Sequence, residues 1–177
     1  STIAVLYPEI IQVVVRAESP VKSIADLKGK KVGVGAPGSG TEANFRQLMD
    51  VYGLAKDDVN SQYLSFSESA EAFKDRHIDA FIVTAGIPNA AIMDIGTQHA
   101  IRILTVPADM AAKLTAKYPF LAAAVVPAGT YKNQAQDVTT VAVNAVLIAG
   151  NDLSADVVYN MTKALFDNQA ELASAHA

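Results

Sequence analysis

The chain has 177 residues with neither cysteine nor tryptophan, and its 18 Asp and Glu against 14 Lys and Arg give a formal net charge of −4. A folded chain of this length buries roughly 70% of the surface that it exposes when unfolded, so a core can form without disulfides or a structural metal. The mild acidity supplies no basic stripe for phosphate contacts, which argues against a nucleic-acid partner.

Apolar residues make up 51% of the chain and aromatic residues only 7%. This composition excludes disorder and favours helices packed closely on a sheet. The longest apolar runs, at 121–128 and 141–149, are interrupted by Pro127 and Asn144 and are far shorter than the ~20 residues of a membrane helix. The sequence opens at Ser1 without a basic and apolar leader, so we expect that a secreted parent has already lost its signal segment.

Runs of β-branched residues bounded by Pro, Gly and Ser predict strands, and hydroxyl residues before apolar repeats predict helices. The predicted strands are 10–16, 31–35, 62–64, 78–83, 101–106 and 139–148. The predicted helices are a short one between Ser23 and Gly29, then 42–52, one from Ser65 through Phe73, 89–95 with Pro88 at its first position, 109–117, 154–166 and 170–177. Segment 126–137 is predicted to be a loop. This alternation indicates a mostly parallel, doubly wound α/β sheet.

Three predicted strands lead through a hydroxyl-bearing loop into a helix. The loops are 35–41, 65–68 and 84–88, and Ser39 with Glu42 and Ser65 with Glu68 have capping-box spacing. Ligands of open α/β sheets bind outside the carboxyl ends of the strands, and free N–H groups at helix N-termini favour anions. Three such loops predict a carboxylate or phosphate pocket, although each loop taken singly is better explained as a helix cap than as a ligand contact.

Catalytic and cofactor motifs are weak. The glycines at 33, 35 and 38 match a dinucleotide-binding pattern, but the helix starts too late and the next strand ends without an acid for a ribose. Gly40 and Thr41 have no lysine between them, which excludes a phosphate loop. The histidines at 77, 99 and 176 lack metal spacing, and no base can be placed beside Ser39. The sequence therefore predicts no catalytic residue, metal or cofactor.

A series of motifs, in order along essentially the whole chain, resembles the TAXI-type solute receptors of TRAP transporters. The motifs are Leu6-Tyr7-Pro8-Glu9, the Lys-rich segment 21–32, the Gly-Ala-Pro-Gly-Ser-Gly-Thr-Glu loop 35–42, Tyr-Leu-Ser-Phe-Ser-Glu at 63–68, Thr-Ala-Gly-Ile-Pro at 84–88, Pro-Ala-Gly-Thr-Tyr at 127–131 and Leu165-Phe166. The Lys-rich segment is common to many solute-binding proteins. The combination of the loops 35–42 and 84–88 is the specific part.

The resemblance implies a periplasmic-binding-protein-like, doubly wound mixed sheet with one complete lobe, hinge-crossing strands and C-terminal helices. Residues 1–20 would be the hinge-crossing strand region of an incomplete first lobe, 21–138 the second α/β lobe, and 139–177 the return crossing strand and C-terminal helices. The function implied is that of a periplasmic receptor which closes around a small carboxylate, such as glutamate, glutamine or 2-oxoglutarate, and delivers it to TRAP membrane subunits.

The same resemblance implies that Ser39, Gly40 and Thr41 hold the ligand carboxylate and that Tyr7 lies near the hinge. The full set of implied ligand-binding residues is Pro37, Gly38, Ser39, Gly40, Thr41, Ser65, Phe66, Ser67, Thr84, Ala85, Gly86, Pro88 and Tyr7. Relative to the family, the sequence lacks the glycine-rich opening and the first half-lobe. We therefore expect weak binding by the chain alone, near the millimolar range of about −4 kcal/mol. We also expect a homodimer, swapped through 139–148, or a companion fragment to cover the crossing strands.

Two other classes of protein fit the same anion pocket. A small α/β enzyme acting on a carboxylate or phosphate would need a base near Ser39 or Thr84, which the sequence does not show. A ligand-sensing module of a signalling protein would be attached to a DNA-binding or transmembrane segment, and neither is visible here.

Overall fold

A computed structural model gives the structure of the chain and describes residues 1–175. Within them, seven strands form one mixed sheet. The strands are β1 (Thr2–Arg16), β2 (Lys31–Gly33), β3 (Asn60–Gln62), β4 (Ala80–Ala85), β5 (Ile101–Ile103), β6 (Leu121–Val126) and β7 (Val138–Ile148). Their order is β3-β2-β4-β1-β7-β6, and β5 pairs with the end of β1.

Helices of about two to four turns follow most of these strands. They are α1 (Gly40–Val51), α2 (Phe66–Lys74), α3 (Ala90–Gln98), α4 (Ala108–Lys117), α5 (Ala155–Asp167) and α6 (Gln169–Ala175). Two 3-10 turns lie at Ile24–Leu27 and Lys56–Asp58. Among the described residues, no helix has both the length and the apolarity to cross a membrane. The last two residues of the predicted helix 170–177 lie outside the described residues.

The mixed sheet is confirmed, but the expectation of mostly parallel strands is wrong. β2 runs parallel to β3 and β4, whereas β1 is antiparallel to β4, β5 and β7, and β6 is antiparallel to β7. A parallel pair needs a crossover helix, whereas an antiparallel pair can be joined by a loop alone. The helices α1 and α2 form the crossovers from β2 to β3 and from β3 to β4. The segment between β6 and β7 contains no helix and connects these two antiparallel neighbours directly.

Each face of the sheet carries its own apolar core. On one face, α1 and α4 pack on β1, β2 and β4, and the shared core includes Ile11, Val13, Val32, Phe45, Leu48, Ile82 and Leu114. On the other face, α2 and α3 cover the same strands, with a core that includes Val14, Phe73, Phe81, Val83, Ile92 and Ile95. We call these the α1 face and the α2 face. Helices on both faces are the doubly wound arrangement expected from the sequence.

β1 and β6 differ most from the sequence-based predictions, whereas β2, β3, β4 and β5 differ only in their bounds. β1 has 15 residues and begins at Thr2, because its first half pairs with β7 although it is only partly buried. β6 was not predicted, since its Ala-rich sequence has low strand propensity. Its position is fixed by pairing with β7 along all six of its residues.

The first half of β1, the end of β7 and α5 expose apolar side chains. Val5 is 61% exposed, Ile148 71% and Phe166 70%, and α5 contains no buried residue. A groove of about 560 Å³ runs between β1 and the helices α5 and α6. The exposed apolar surface that the sequence predicted beside β1 and β7 is therefore present. Its coverage by a second copy of the chain or by a companion fragment stays a prediction.

A buried hydrogen-bond chain on the α2 face holds the loop before α3. The Tyr131 hydroxyl donates to Gln12 Oε1 at 2.6 Å, and it accepts from the backbone N–H of Asn89 at 2.9 Å. Gln12 is fully buried in β1, and Tyr131 is 5% exposed. Burial is the main cause that raises the pKa of Tyr131, so the hydroxyl keeps its proton at neutral pH. The start of α3 is thereby fixed to the central strand.

An exposed ionic cluster fixes the end of α1 to the end of α4. Asp50 Oδ2 accepts from Lys117 Nζ at 2.6 Å and from the Tyr118 hydroxyl at 2.5 Å. The hydrogen bonds from Lys117 and Tyr118 lower the pKa of Asp50. This cluster helps to orient α1, whose opposite end reaches the carboxyl edge of the sheet.

We expect Tyr131→Phe to lower the free energy of unfolding by about 1–3 kcal/mol, because it leaves the buried Gln12 oxygen and the Asn89 N–H without a partner. Urea denaturation measures the change. Tyr159→Phe is the control, since Tyr159 is 65% exposed. Equal stabilities of the two variants would contradict the structural role of the Tyr131 hydroxyl.

We expect Asp50→Asn to lower the melting temperature at pH 7 and to have less effect in acid. Because the folded-state pKa of Asp50 is lowered, its stabilising contribution is present above the ordinary carboxyl pKa of about 4 and is lost as the pH falls through the lowered value. Melting curves of wild type and variant from pH 7 to pH 3 test this. Asp57→Asn, at an exposed turn position, should show no such convergence.

Candidate functional site

The carboxyl ends of β2, β3 and β4 lie at one edge of the sheet, because these three strands are parallel neighbours. Each strand is followed by a loop and then by the N-terminus of α1, α2 or α3. The structure therefore brings the three loops that the sequence singled out to the same edge. At this edge, helix N-termini present backbone N–H groups that have no intrahelical acceptor.

The loop before α1 depends on glycine at position 35. Gly35 is buried with a φ of +93°, and a Cβ there would lie 2.9 Å from both Ser39 Oγ and Thr41 Cβ. A side chain would therefore be strained and would displace Thr41. Pro37 and Gly38 are exposed in the same loop.

Ser39 caps α1, as the sequence predicted. Its Oγ accepts from the backbone N–H of Glu42 at 3.2 Å. The Glu42 carboxylate reaches back to the N–H of Gly38, at 2.6 Å, rather than to Ser39. The first-turn N–H groups of Gly40 and Thr41 have no acceptor within the helix. Gly40 is exposed and Thr41 is buried.

The loop before α2 forms the predicted capping box. Ser65 Oγ accepts from the Glu68 N–H at 3.3 Å, and Glu68 Oε2 accepts from the Ser65 N–H at 2.8 Å and from its hydroxyl at 2.7 Å. These hydrogen bonds, led by the one from the hydroxyl, lower the pKa of Glu68. Ser67 is exposed and 3.3 Å from Ser65, whereas Phe66 is half-buried and packs on the core of the α2 face. Ser65 is thus a cap in this structure.

The loop after β4 differs from the prediction in two respects. Thr84 lies inside β4 rather than in the loop, and it is only 7% exposed. Pro88 does not occupy the first helical position, because Asn89 is the N-cap and its Oδ1 accepts from the N–H groups of Ala91 and Ile92. An asparagine cap satisfies the same orphan donors as a serine. Ala85 and Gly86 are half-buried at the edge.

Tyr7 lies in the first half of β1, beyond the residues that pair with β4. It lines the groove between β1 and the helices α5 and α6, together with Leu165 and Phe166. Of the histidines, His77 and His99 are exposed, and His176 lies outside the described residues. No group of three or more His, Cys, Asp or Glu in the described part of the chain is arranged to hold a metal ion. The edge can therefore offer backbone N–H groups, hydroxyls and amides to a small anion.

The sequence analysis missed Asn44. This side chain lies on α1 and is 4% exposed. Its position follows from helical spacing, since residues 41, 44, 45, 48 and 49 form the buried stripe of α1. An amide side chain within a buried stripe that is otherwise apolar except for Thr41 was the indication that could have identified it.

A family model described as the NMT1-like family matches residues 1–177. An Escherichia coli (strain K12) protein named for binding aliphatic sulfonates is 30% identical over 91 residues, which cover 51% of this chain and 28% of that protein. Among solved structures, an ancestral arginine-binding protein bound to arginine has a TM-score of 0.53 at 20% identity, covering 96% of this chain and 58% of its own.

A Listeria monocytogenes protein named for L-cystine ABC transport has a TM-score of 0.55 at 15% identity, covering 96% of this chain and 57% of its own. This chain thus spans between about a quarter and three fifths of the length of these proteins. The structural matches confirm the solute-binding-protein fold, and the named proteins are binding or transport proteins rather than enzymes. The chain belongs to the NMT1-like family.

Proposed function

We propose that this chain is the ligand-binding part of a periplasmic solute receptor that captures a small carboxylate of the glutamate, glutamine or 2-oxoglutarate class. The observation that carries the proposal is the convergence of the N-termini of α1, α2 and α3 at one edge of the sheet. Each N-terminus contributes the positive end of a helix dipole and N–H groups without an intrahelical acceptor, of which Ser39, Ser65 and Asn89 cap a part. The periplasmic location follows from the solute-binding fold that the chain shares with transport proteins.

The motifs at 35–42 and 84–88 support a receptor of the TAXI type, which would deliver its ligand to TRAP membrane subunits. In this proposal residues 21–138 are the second lobe, and residues 1–20 and 139–177 supply the strands that cross to a first lobe and the C-terminal helices. The exposed apolar face of β1, β7 and α5 is then a contact surface for the first lobe or for a second copy of the chain.

Within the site, the N–H groups of Gly40 and Thr41 would hold the ligand carboxylate. Pro37, Gly38 and Ser39 shape the approach to α1. Ser65, Phe66 and Ser67 would flank the ligand from the start of α2. Thr84, Ala85 and Gly86 would form the floor, with Pro88 in the loop that follows β4. Tyr7 would contact the ligand from the hinge side.

Affinity should be modest for this chain alone. Three or four charge-assisted hydrogen bonds contribute about 1.5–3 kcal/mol each, against an association cost of about 4–15 kcal/mol. A second jaw would add contacts and exclude water. We therefore place the dissociation constant of the 177-residue chain near the millimolar range.

A sulfonate is the second candidate ligand. The Escherichia coli relative is named for aliphatic sulfonates, and a sulfonate presents the same single negative charge and oxygen acceptors to helix N-termini. The two ligand classes differ in shape and in the groups beside the acid, so a binding panel separates them.

We expect glutamate, glutamine and 2-oxoglutarate to raise the melting temperature of the chain more than sodium chloride at equal ionic strength. A ligand at 100 times its dissociation constant stabilises the folded state by about 2.7 kcal/mol. The panel includes ethanesulfonate and a neutral sugar. If ethanesulfonate is the one compound that stabilises the chain, the ligand is a sulfonate rather than a carboxylate. If no acid raises the melting temperature, the chain is not an anion receptor.

We expect Gly40→Ala to weaken carboxylate binding by about tenfold without loss of stability. A Cβ at residue 40 meets no atom of residues 1–175 within 4 Å, but it points toward the N-terminus of α1, where the ligand would approach. Gly96→Ala in α3 is the matched control, since its Cβ also meets no atom within 4 Å. Calorimetric titration measures the carboxylate affinity of both variants. Equal affinities of the two variants would exclude a ligand at the α1 N-terminus.

A further inference from the structure

Strand β6 lies at the end of the sheet that is opposite to β3. It pairs with β7 along its whole length, and no strand within residues 1–175 pairs with its other side. Ala122, Ala123 and Val125 are exposed at this open edge. At the two ends of the strand, Leu121 is buried in the core of the α1 face and Val126 in that of the α2 face. The open edge is therefore held in a fixed position.

The pairing with β7 shows which backbone groups of β6 point to the open edge. Thr139 of β7 lies opposite Val125, but its carbonyl accepts from the N–H of Val106, on the other side of β7. The direction of hydrogen bonding alternates along antiparallel strands, so the even-numbered residues of β6 bond to β7. The odd-numbered residues direct their N–H and C=O groups to the open edge. These outward residues are Leu121, Ala123 and Val125.

The open edge has none of the features that protect such edges in natural proteins. Protected edges are short, charged, bulged or interrupted by proline. Residues 119–131 contain no charged side chain, β6 pairs without a bulge, and the prolines at 119 and 127 lie outside the strand. The opposite end of the sheet differs, because β3 has three polar residues and follows the charged segment 56–58. β6 is thus suited to pair with a further strand.

We propose that β6 pairs with β6 of a second copy of the chain, antiparallel and about a two-fold axis at Ala123. In this register the two Ala123 residues exchange their N–H···O=C hydrogen bonds, and each Val125 N–H donates to the Leu121 carbonyl of the other copy. The Leu121 N–H is not needed, since it already donates to the carbonyl of Tyr118. The hydrogen bonds join the two sheets into one.

The side chains at the edge fit a second copy of the same strand. In a two-fold pairing, a charge near the axis would lie opposite a like charge and destabilise the pair. The chain has a formal net charge of −4, yet its open edge carries no charge and has a small alanine at the axis. Val125, which is 44% exposed, lies opposite Leu121 of the other copy. Phe120, which is 53% exposed, comes near the end of the other β6. Apolar surface is thus covered by apolar surface.

This pairing leaves the candidate ligand sites accessible. β7 runs in the same direction as β4, since both are antiparallel to β1, and β6 is antiparallel to β7. The two-fold axis reverses every strand direction in the second copy, so the carboxyl ends of the parallel strands face opposite ways in the two copies. The open edge of β6 is also separate from the exposed apolar face of β1, β7 and α5. Dimer formation is therefore independent of the ligand and of a first lobe.

Sedimentation velocity of the chain at increasing concentration tests for the dimer. Pairing along six residues covers less than the ~1,600 Å² of a standard interface, so we expect a weak dimer. The mass should rise from that of a monomer to that of a dimer with increasing concentration. A monomer at every concentration up to about 1 mM, which corresponds to about −4 kcal/mol, would overturn the proposal.

Opposite charges at position 123 test the register. Ala123→Lys and Ala123→Glu each place like charges opposite one another, and we expect each to raise the dissociation constant of the dimer about fivefold. An equal mixture of the two variants should restore the dimer, because lysine then lies opposite glutamate. Urea denaturation checks that both variants fold. A mixture that dimerises no better than either variant alone would contradict a two-fold axis at Ala123.

Val5→Lys is the matched control, since Val5 is 61% exposed on the first half of β1. We expect this variant to dimerise as wild type does. If Val5→Lys weakens the dimer and Ala123→Lys does not, the second copy binds at the apolar face of β1, β7 and α5, and the pairing through β6 is wrong.

Discussion

The pairing of β1 with three other strands is the constraint on which the rest of the structure depends. Its second half is buried on both faces and lies between the parallel strands, through β4, and the antiparallel β6–β7 pair, through β7. The two cores share this strand, since Ile11 and Val13 belong to one and Val14 to the other. Gln12 of β1 also fixes the loop before α3, because it accepts a hydrogen bond from the Tyr131 hydroxyl that holds this loop. A shift of β1 by one residue would exchange the two faces and destroy both cores.

This constraint also explains why the site is formed by backbone groups. The parallel strands fix where α1, α2 and α3 begin, and glycines and short polar residues let their N–H groups face the edge of the sheet. Ser39, Ser65 and Asn89 satisfy part of each helix end from within the chain. What remains is a set of oriented N–H groups whose positions depend on the sheet and not on flexible side chains.

Local sequence rules predicted the parts of the site that depend on neighbours along the chain. The caps at Ser39 and Ser65 follow from a hydroxyl and an acid three residues apart, and both are confirmed. The rules were wrong where the pairing of distant strands determines the structure. β6 has a sequence of low strand propensity and is held in the sheet by β7. The antiparallel pairing of β1 makes the sheet less parallel than the alternation of strands and helices indicated. The burial of the Asn44 and Thr84 side-chain oxygens, which have no hydrogen-bond partner in the described part of the chain, could not be predicted, because it results from α1 meeting β4. The resemblance to TAXI receptors gave the solute-binding fold correctly.

The side of β1 that faces away from β7 is only partly paired, and this has a consequence for the chain. Along that edge β4 pairs only with residues from Ile10 to Val15, so the first half of β1 meets no strand there within the described part of the chain. Open backbone groups beside the exposed Val5 and Leu6 are a template for adding another strand. Such a template makes the chain prone to edge-to-edge aggregation at high protein concentration.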